Sequence, residues 1–515
     1  MARIAPNWVV CGDGAELRRM WRVRSAWRRG PWYRGLRINP YKDNIVSTLD
    51  DQVHDKLRAK LVPSYSGKDV DNLHQLIDDR VAGLVSLIET KYVSTETEFK
   101  PFDLARKVQY FTLDVISSLA FGKQLGFLSE DKDMFDYIKT TESTLPILLL
   151  VTLVPWLLSV MQSPRLRWLL PDVRKMVGVG TVMKLAEAAV AERYGDKPVV
   201  KRDMLGSFVA HGLSREQAET ETVVQLFAGS DTTATAIRAT LLFLMTSPLV
   251  YRRLQAEIDA GIREGRISAP ITDAEGKDLP YLQAVIREGL RIWPPATGML
   301  AKISDTDQVV CGVRIPAGTN VAWSPWSIMR SQDTFGDDAD LFRPERWLDN
   351  PAAKQRLMEQ TVMMEFVSGS RWECLGKTVA LIEFNKTFVE VGLPVVSVVG
   401  VSKSVADDPC SCSAAPPPLR LHAARPSKSV EVVQWGRLHP ERHECRRHPA
   451  ESAAVKRRIA WWTCTRNMKW AGIRRLVETG KWVERGKWAS FGRIDSWCRA
   501  TCENGWGGPG AQPST

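Results

Sequence analysis

The sequence predicts a mainly α-helical fold with small β-sheets. Three observations carry the prediction. Apolar residues recur at helical spacing through most of residues 69–292 and again after residue 376. Alternation of apolar and turn residues is confined to one stretch, 303–323. The helical segments begin at capping side chains or stop at prolines, as at Ser214, Pro248 and Pro294-Pro295.

Residues 1–40 read as short elements rich in Arg and Trp. Residues 41–62 read as a helix beginning near Ser47 or Asp50, and segments 69–92, 101–122 and 177–195 as further helices. The longest runs over 214–246, with Ser214 as N-cap and Glu216 and Glu219 near its positive end. Pro248 stops it, and helices follow over 248–264 and 279–292. Val309, Val310, Val313, Ile315 and Val321, interleaved with Gly312, Pro316 and Gly318, give short strands or a hairpin. A last helix runs from about Gly376 to Glu390. The apolar run Leu145 to Met161 falls short of a membrane span and holds Pro146 and Pro155. It reads as a helix pair or loop that touches a membrane or covers a pocket.

At 515 residues the chain can bury one large core or hold up to three domains. Its 44% hydrophobic and 25% charged residues describe a globular protein. The net charge of +11 sits almost wholly in residues 401–515, where 20 Lys and Arg face 10 Asp and Glu. The remainder is nearly neutral, so no nucleic-acid partner is expected for it. Of nine cysteines only Cys11, Cys311 and Cys374 precede residue 391, which suits a reducing compartment. Nothing at the start resembles a signal peptide or a membrane anchor. After Val391 the composition changes abruptly: six of nine Cys, eight of nineteen Trp and four of seven His lie there. The expected division is therefore 1–390 and 391–515, the second part a disordered tail or the product of an imperfect gene model. A basic patch, or a metal site at His439, His443 and Cys445, is the weaker reading of that tail.

Four constellations carry chemistry. Phe366-Val-Ser-Gly369-Ser-Arg371-Trp-Glu-Cys374-Leu-Gly376 places one cysteine in a glycine-framed loop ahead of a helix. No second Cys or His lies near enough for a zinc cage. A lone thiolate framed by Gly369 and Gly376 suits an axial haem ligand, and Arg371 can pair with a haem carboxylate. Ala228-Gly229-Ser230-Asp231-Thr232-Thr233 lies inside the long helix. Glycine there costs about 1 kcal/mol relative to alanine. Small residues let a flat ligand or O2 lie against the backbone, and an adjacent acid and alcohol can relay protons. Alone, this segment equally describes a polar kink. Glu288 and Arg291 stand i, i+3, as many surface ion pairs do. His54 and Arg58, i, i+4, share one helix face and alone describe a solvated surface.

Together these segments resemble the cytochrome P450 family. The first carries the residues of its haem-binding signature, Phe-x-x-Gly-x-Arg-x-Cys-x-Gly, in order. The second matches the family's central-helix motif, Ala/Gly-Gly-x-Asp/Glu-Thr-Thr/Ser. The resemblance covers about residues 3–390 and implies the cytochrome P450 fold. It further implies haem b (iron protoporphyrin IX) with Cys374 as axial iron ligand, and Phe366, Gly369, Arg371 and Gly376 around it. Ala228 and Gly229 would lie above the haem, Thr232 would support oxygen activation and Asp231 would help deliver protons. Glu288, Arg291 and Arg346, the last from Phe342-Arg-Pro-Glu-Arg346-Trp, would form a buried charge network. Many members read Trp-x-x-x-Arg on the helix that holds a haem propionate; here His54 stands for the Trp, Arg58 keeps the Arg, and Lys302 is a further propionate candidate.

The resemblance implies a haem-thiolate monooxygenase acting on an apolar small molecule. Its electrons would come from NADPH through NADPH-cytochrome P450 reductase, at the cytosolic face of the endoplasmic reticulum membrane. Segments such as Phe102-Asp-Leu-Ala105 are most similar to fungal, pisatin demethylase-like hydroxylases of secondary metabolism. The alternative expectation is a truncated, non-catalytic product with impaired haem binding, because the family's anchor, first strands and final hairpin have no counterpart here. Peroxide isomerisation or oxime dehydration is a third option, disfavoured by the Asp231-Thr232 pair.

Overall fold

The computed structural model describes residues 1–391, except 95–97, 99, 155–158, 161 and 164–177. Expectations for residues 392–515, including the His439, His443 and Cys445 site, lie outside the described residues, as does part of the run ending at Met161.

Helices dominate, and their ends follow local chemistry. The helix Asp51–Tyr65 starts after Asp50, whose carboxylate accepts from the amides of Gln52 and Val53. The helices Leu73–Lys91 and Leu104–Phe121 follow. The central helix, Arg215–Met245, opens with a capping box in which Ser214 and Gln217 satisfy each other's backbone amides. Pro248 begins the next helix, Pro248–Arg263, and Pro280 begins Pro280–Ile292. The last described helix is Lys377–Glu390. Short helices at Met204–Ala210 and Ala352–Val362 were not legible as separate elements in the apolar pattern.

The strands are β1 (Ala2–Ala5), β2 (Trp8–Cys11), β3 (Trp27–Arg29), β4 (Lys302–Ser304), β5 (Gln308–Val310), β6 (Val313–Ile315) and β7 (Asn320–Trp323). Five form one sheet in the order β1-β2-β7-β4-β3, parallel only between β2 and β7. The sheet joins the Arg- and Trp-rich start of the chain to the 303–323 stretch, a pairing no local pattern announces. β5 and β6 form the expected hairpin.

The main core lies where the central helix packs on Leu104–Phe121, which is buried along most of its length. Two close approaches need glycine. A Cβ on Gly229 would stand 2.8 Å from Ile116, and one on Gly289 would stand 1.9 Å from the hydroxyl of Thr240. Thr240 is buried, β-branched, and donates to Ala236 O at 2.8 Å, so it has little room to rotate. Gly289→Ala is therefore expected to destabilise the fold by about 1–3 kcal/mol, through overpacking between the central helix and Pro280–Ile292. A urea midpoint equal to that of the parent protein would refute this.

The apolar run is helical over Tyr137–Thr152, with Pro146 inside and Leu145, Leu149 and Leu150 exposed. No single described helix is long and apolar enough to cross a membrane.

Candidate functional site

Cys374 sits at the end of a tight loop. Its amide donates to Phe366 O at 2.8 Å, closing the loop on itself. Val367 and Gly369 take positive φ of 51° and 77°, which turns the chain sharply. Gly376 has an ordinary helical φ of −76°, so it is not there for dihedral freedom. It leaves the thiol's surroundings open, since a Cβ would lie 4.0 Å from Cys374 Sγ. Cys374 is accessible to solvent although protein atoms surround it closely. Burial pushes its thiol pKa up; the amides of Gly376 and Lys377 and the charge of Arg58 pull it back. Those donors are the ones a thiolate ligand needs.

The central helix shows a second opening. Ala228 and Thr232 are exposed on one face while Leu226, Ser230, Thr233 and Ala234 are buried. Thr232 donates to Ala228 O at 2.8 Å. Asp231, partly exposed, accepts from Gln109 Nε2 at 3.5 Å and lies 3.9 Å from Arg238. Gly229 differs from the sequence expectation. Its bare face is filled by Ile116, so it serves helix packing, and the open face belongs to Ala228 and Thr232.

Arg58 Nη1 donates to Glu373 O at 2.5 Å, tying helix Asp51–Tyr65 to the cysteine loop. His54 is buried, and its Nδ1 lies 3.3 Å from Asp55. Burial, then the nearby Arg29, pushes its pKa down to about 4, so it is a neutral imidazole at physiological pH. Lys302 is buried, and its Nζ has no hydrogen-bond partner. Burial and Arg29 push its pKa well below the usual lysine range.

Away from these groups, Glu288, Arg291 and Arg346 form a fully buried network. Glu288 Oε1 lies 2.7 Å from Arg291 and 3.0 Å from Arg346. Glu288 also accepts from Arg343 N at 2.8 Å and Trp347 Nε1 at 3.0 Å. Arg291 donates to the carbonyls of Met329, Ala339 and Leu341, and Arg346 to those of Phe335, Asp338 and Leu341. This network pins the segment 329–347 to helix Pro280–Ile292.

Sequence reasoning missed Arg29, Trp372 and Glu221. Glu221 falls on the same helical stripe as Gln225, Ala228 and Thr232, at i, i+4, i+7 and i+11, a spacing that could have flagged it. Its Oε1 accepts from Ile45 N at 2.8 Å, while Arg29 Nη1 donates to Ile45 O at 2.8 Å and Thr48 O at 3.1 Å. Two buried ionisable side chains thus clamp the loop before helix Asp51–Tyr65. Burial pushes Glu221 up to about 8 from an ordinary 4.5. Between these values the unfolded chain loses the proton that the fold keeps, so stability falls as pH rises, by roughly 4–5 kcal/mol at most. Glu221→Gln keeps an acceptor for Ile45 and removes the ionisation. Its stability relative to the parent is expected to rise between pH 5 and pH 9; parallel unfolding curves at the two pH values would contradict this.

The helical fold, small sheets and single cysteine loop define a haem-thiolate protein of the kind the sequence motifs resemble. The sequence profile of the family described as Cytochrome P450 matches residues 28–391. The chain is 41% identical over 396 residues to Cytochrome P450 monooxygenase ABA1 of Pyricularia oryzae, covering 76% of this chain and 77% of that one. It is 38% identical over 395 residues to Cytochrome P450 monooxygenase aba1 of Botryotinia fuckeliana, covering 76% and 77%. It is 37% identical over 394 residues to Cytochrome P450 monooxygenase abl1 of Leptosphaeria maculans, covering 76% and 69%. The chain belongs to the cytochrome P450 family. It is a monooxygenase, an oxidoreductase that binds haem and draws electrons from a redox partner.

The residues fit that cofactor. Cys374 offers a thiol among amide donors, and Lys302 is a buried cation without a hydrogen-bond partner, which a carboxylate would complete.

Proposed function

We propose that this chain inserts one oxygen atom from O2 into a C–H bond of an apolar small molecule in fungal secondary metabolism. Two electrons and two protons accompany the step, and water is the second product. The electrons come from NADPH through a flavoprotein reductase. The observation that carries the reading is Cys374, accessible and held by its own backbone, with the amides of Gly376 and Lys377 and the Arg58 charge around its sulfur.

Bound haem supplies the redox chemistry that splits O2 and oxidises the C–H bond. Cys374 would ligate the iron, and the amides of Gly376 and Lys377 and the charge of Arg58 would favour its thiolate form there. Ala228 and Thr232 present a small, open helix face to the reacting side. Thr232 donates its hydroxyl to Ala228 O at rest and turns outward to donate to the reacting oxygen, and Asp231 passes protons inward from the Gln109 and Arg238 side. The Glu288, Arg291 and Arg346 network holds the structure behind the cysteine loop. Exposed Leu145, Leu149 and Leu150 support attachment to a membrane surface, at the cytosolic face of the endoplasmic reticulum.

The test is the reduced carbon-monoxide difference spectrum of the expressed full chain. A thiolate-type Soret band supports the reading; a free-haem-like spectrum supports a non-catalytic product instead. Thr232→Val is expected to retain that band while lowering product formed per NADPH consumed by roughly 10-fold or more, the scale of a positioned proton donor. Unchanged coupling would remove Thr232 from the proposed role.

A further inference from the structure

Two of the described cysteines, far apart in sequence, meet in the fold. Cys11 ends β2 and Cys311 sits at the tip of the β5–β6 hairpin, 300 positions later, and their Sγ atoms stand 3.9 Å apart. The two differ in access. Cys11 is wholly buried, and its thiol donates to Asp13 O at 3.8 Å. Burial pushes that thiol up to about 12. Cys311 is exposed, so its sulfur is the one that meets a reagent in solution. Among the described residues no group of three or more His, Cys, Asp or Glu side chains could hold a metal ion, so the pair is not part of a metal cage.

The turn gives an independent reason to single out Cys311. Val310 pairs with Val313, which leaves Cys311-Gly312 as a two-residue loop with φ of 50° and 76°. Positive φ at both central residues is the type I′ pattern, which Asn-Gly and Asp-Gly fill best. A cysteine there meets the steric cost of a side chain in the left-handed region, without the local hydrogen bond that Asn or Asp can make. What the position provides instead is a sulfur facing Cys11. A Cβ on Gly312 would meet nothing within 4 Å, so the tip has room to move. Bonded sulfurs lie about 2.05 Å apart, a short closure for an open turn.

We propose that Cys11 and Cys311 form a thiol–disulfide switch that reversibly staples the β5–β6 hairpin to the start of the chain. Neither cysteine belongs to the haem-thiolate site. The oxidant is a small-molecule disulfide. The Cys311 sulfur attacks one of its sulfurs, the small S–S bond breaks, and a mixed disulfide remains on Cys311 as one thiolate leaves. The Cys11 sulfur then attacks Cys311 Sγ, forms the protein disulfide and releases the second thiolate. The two cysteine protons pass to the two thiolates. The protein loses two electrons, the small disulfide gains them, and excess small thiol reverses both steps. A two-stranded hairpin is marginal by itself. This one is held by Val310 and Ile315 in the cluster around Cys11 and by Arg19, which donates to Val309 O at 2.8 Å. The same cluster reaches Met364, and Arg18 donates to Thr361 at 3.0 Å, so a bond at Cys11 also braces the segment that leads into the cysteine loop. Closing so long a loop constrains the unfolded chain strongly. In a reducing compartment such a bond is transient.

The experiment uses the haem-loaded full chain, equilibrated with glutathione disulfide. Free thiols are then alkylated, and the cysteine peptides are mapped by mass spectrometry without reduction. The melting temperature is read before oxidation, after it, and after excess dithiothreitol. The parent is expected to yield a peptide linking Cys11 to Cys311 and to gain roughly 5 °C, both reversed by dithiothreitol. Cys311→Ser changes only an exposed turn and keeps every cysteine of residues 392–515; it is expected to gain neither. Cys11→Ala is expected to hold glutathione stably on Cys311, an adduct the parent does not accumulate because Cys11 displaces it. If Cys11→Ala does not fold, the parent and Cys311→Ser decide the matter. The proposal is overturned if Cys311 of the parent stays free, keeps glutathione, or links to a cysteine of residues 392–515. It is equally overturned if the Cys11–Cys311 link forms and the melting temperature of the parent rises no more than that of Cys311→Ser.

Discussion

Cys374→Ser abolishes the thiolate-type band of the reduced, carbon-monoxide-bound protein and lowers oxygenation by at least about 10³-fold. A thiolate pushes electron density toward the iron and favours O–O cleavage; a hydroxyl stays protonated and contributes little of that density. Three orders of magnitude correspond to about 4 kcal/mol of lost transition-state stabilisation. The local structure makes the substitution a clean one, because the Cys374 amide bond to Phe366 O and the loop's dihedrals do not depend on the sulfur. The two other described cysteines offer no replacement: Cys11 is buried in β2 and lies 3.9 Å from Cys311 Sγ. The measurement is the difference spectrum together with product formed under saturating reductase. A persistent thiolate band in the serine variant would remove Cys374 from the ligand position.

The second large effect is expected from Glu288→Gln. Glu288 is the only carboxylate shared by Arg291 and Arg346 among the ion pairs of the described residues, and all three side chains are wholly buried. Removing its charge leaves the buried Arg291 without a carboxylate and Arg346 with Asp338 alone, and breaking a buried pair costs about 3–5 kcal/mol. That is a large part of the stability of a typical domain. The carbonyls that Arg291 and Arg346 also bind are dipoles and do not replace a full negative charge. The expected result is little or no haem-loaded protein at the temperature used for the parent, and a much lower urea midpoint where some is recovered. A midpoint shift equivalent to less than about 1 kcal/mol would show that Asp338, which also pairs with Arg346, carries the network instead. Replacing all three members by apolar residues of similar volume should recover part of the loss, since it leaves no charge unpaired.

Both predictions concern residues visible in the sequence, but the sequence held only half of each argument. Cys374 was legible because a lone cysteine between glycines has few uses; its accessibility and its amide donors were not. Glu288 and Arg291 were legible as an i, i+3 pair that resembles countless surface pairs. Only burial turns that pair into a structural necessity. Gly229 was legible as a glycine needing a reason, yet the reason, Ile116, lies on another helix.

The sequence by itself determined what depends on neighbours a few residues away. The Ser214 capping box, the proline helix starts, the β5–β6 hairpin and the order of the four motifs follow from hydrogen bonds and dihedrals within one or two turns of chain. The tertiary structure decided everything that depends on which distant segments meet. It set Arg29 opposite Lys302 across β3 and β4, gave Arg371 to Asp51 and left the Trp372 indole free. It also closed Glu221 and Arg29 on Ile45. The physical reason is that the cost of a charge or an unpaired donor is fixed by its surroundings. Those surroundings are assembled from segments far apart in the chain, whose meeting no local pattern encodes.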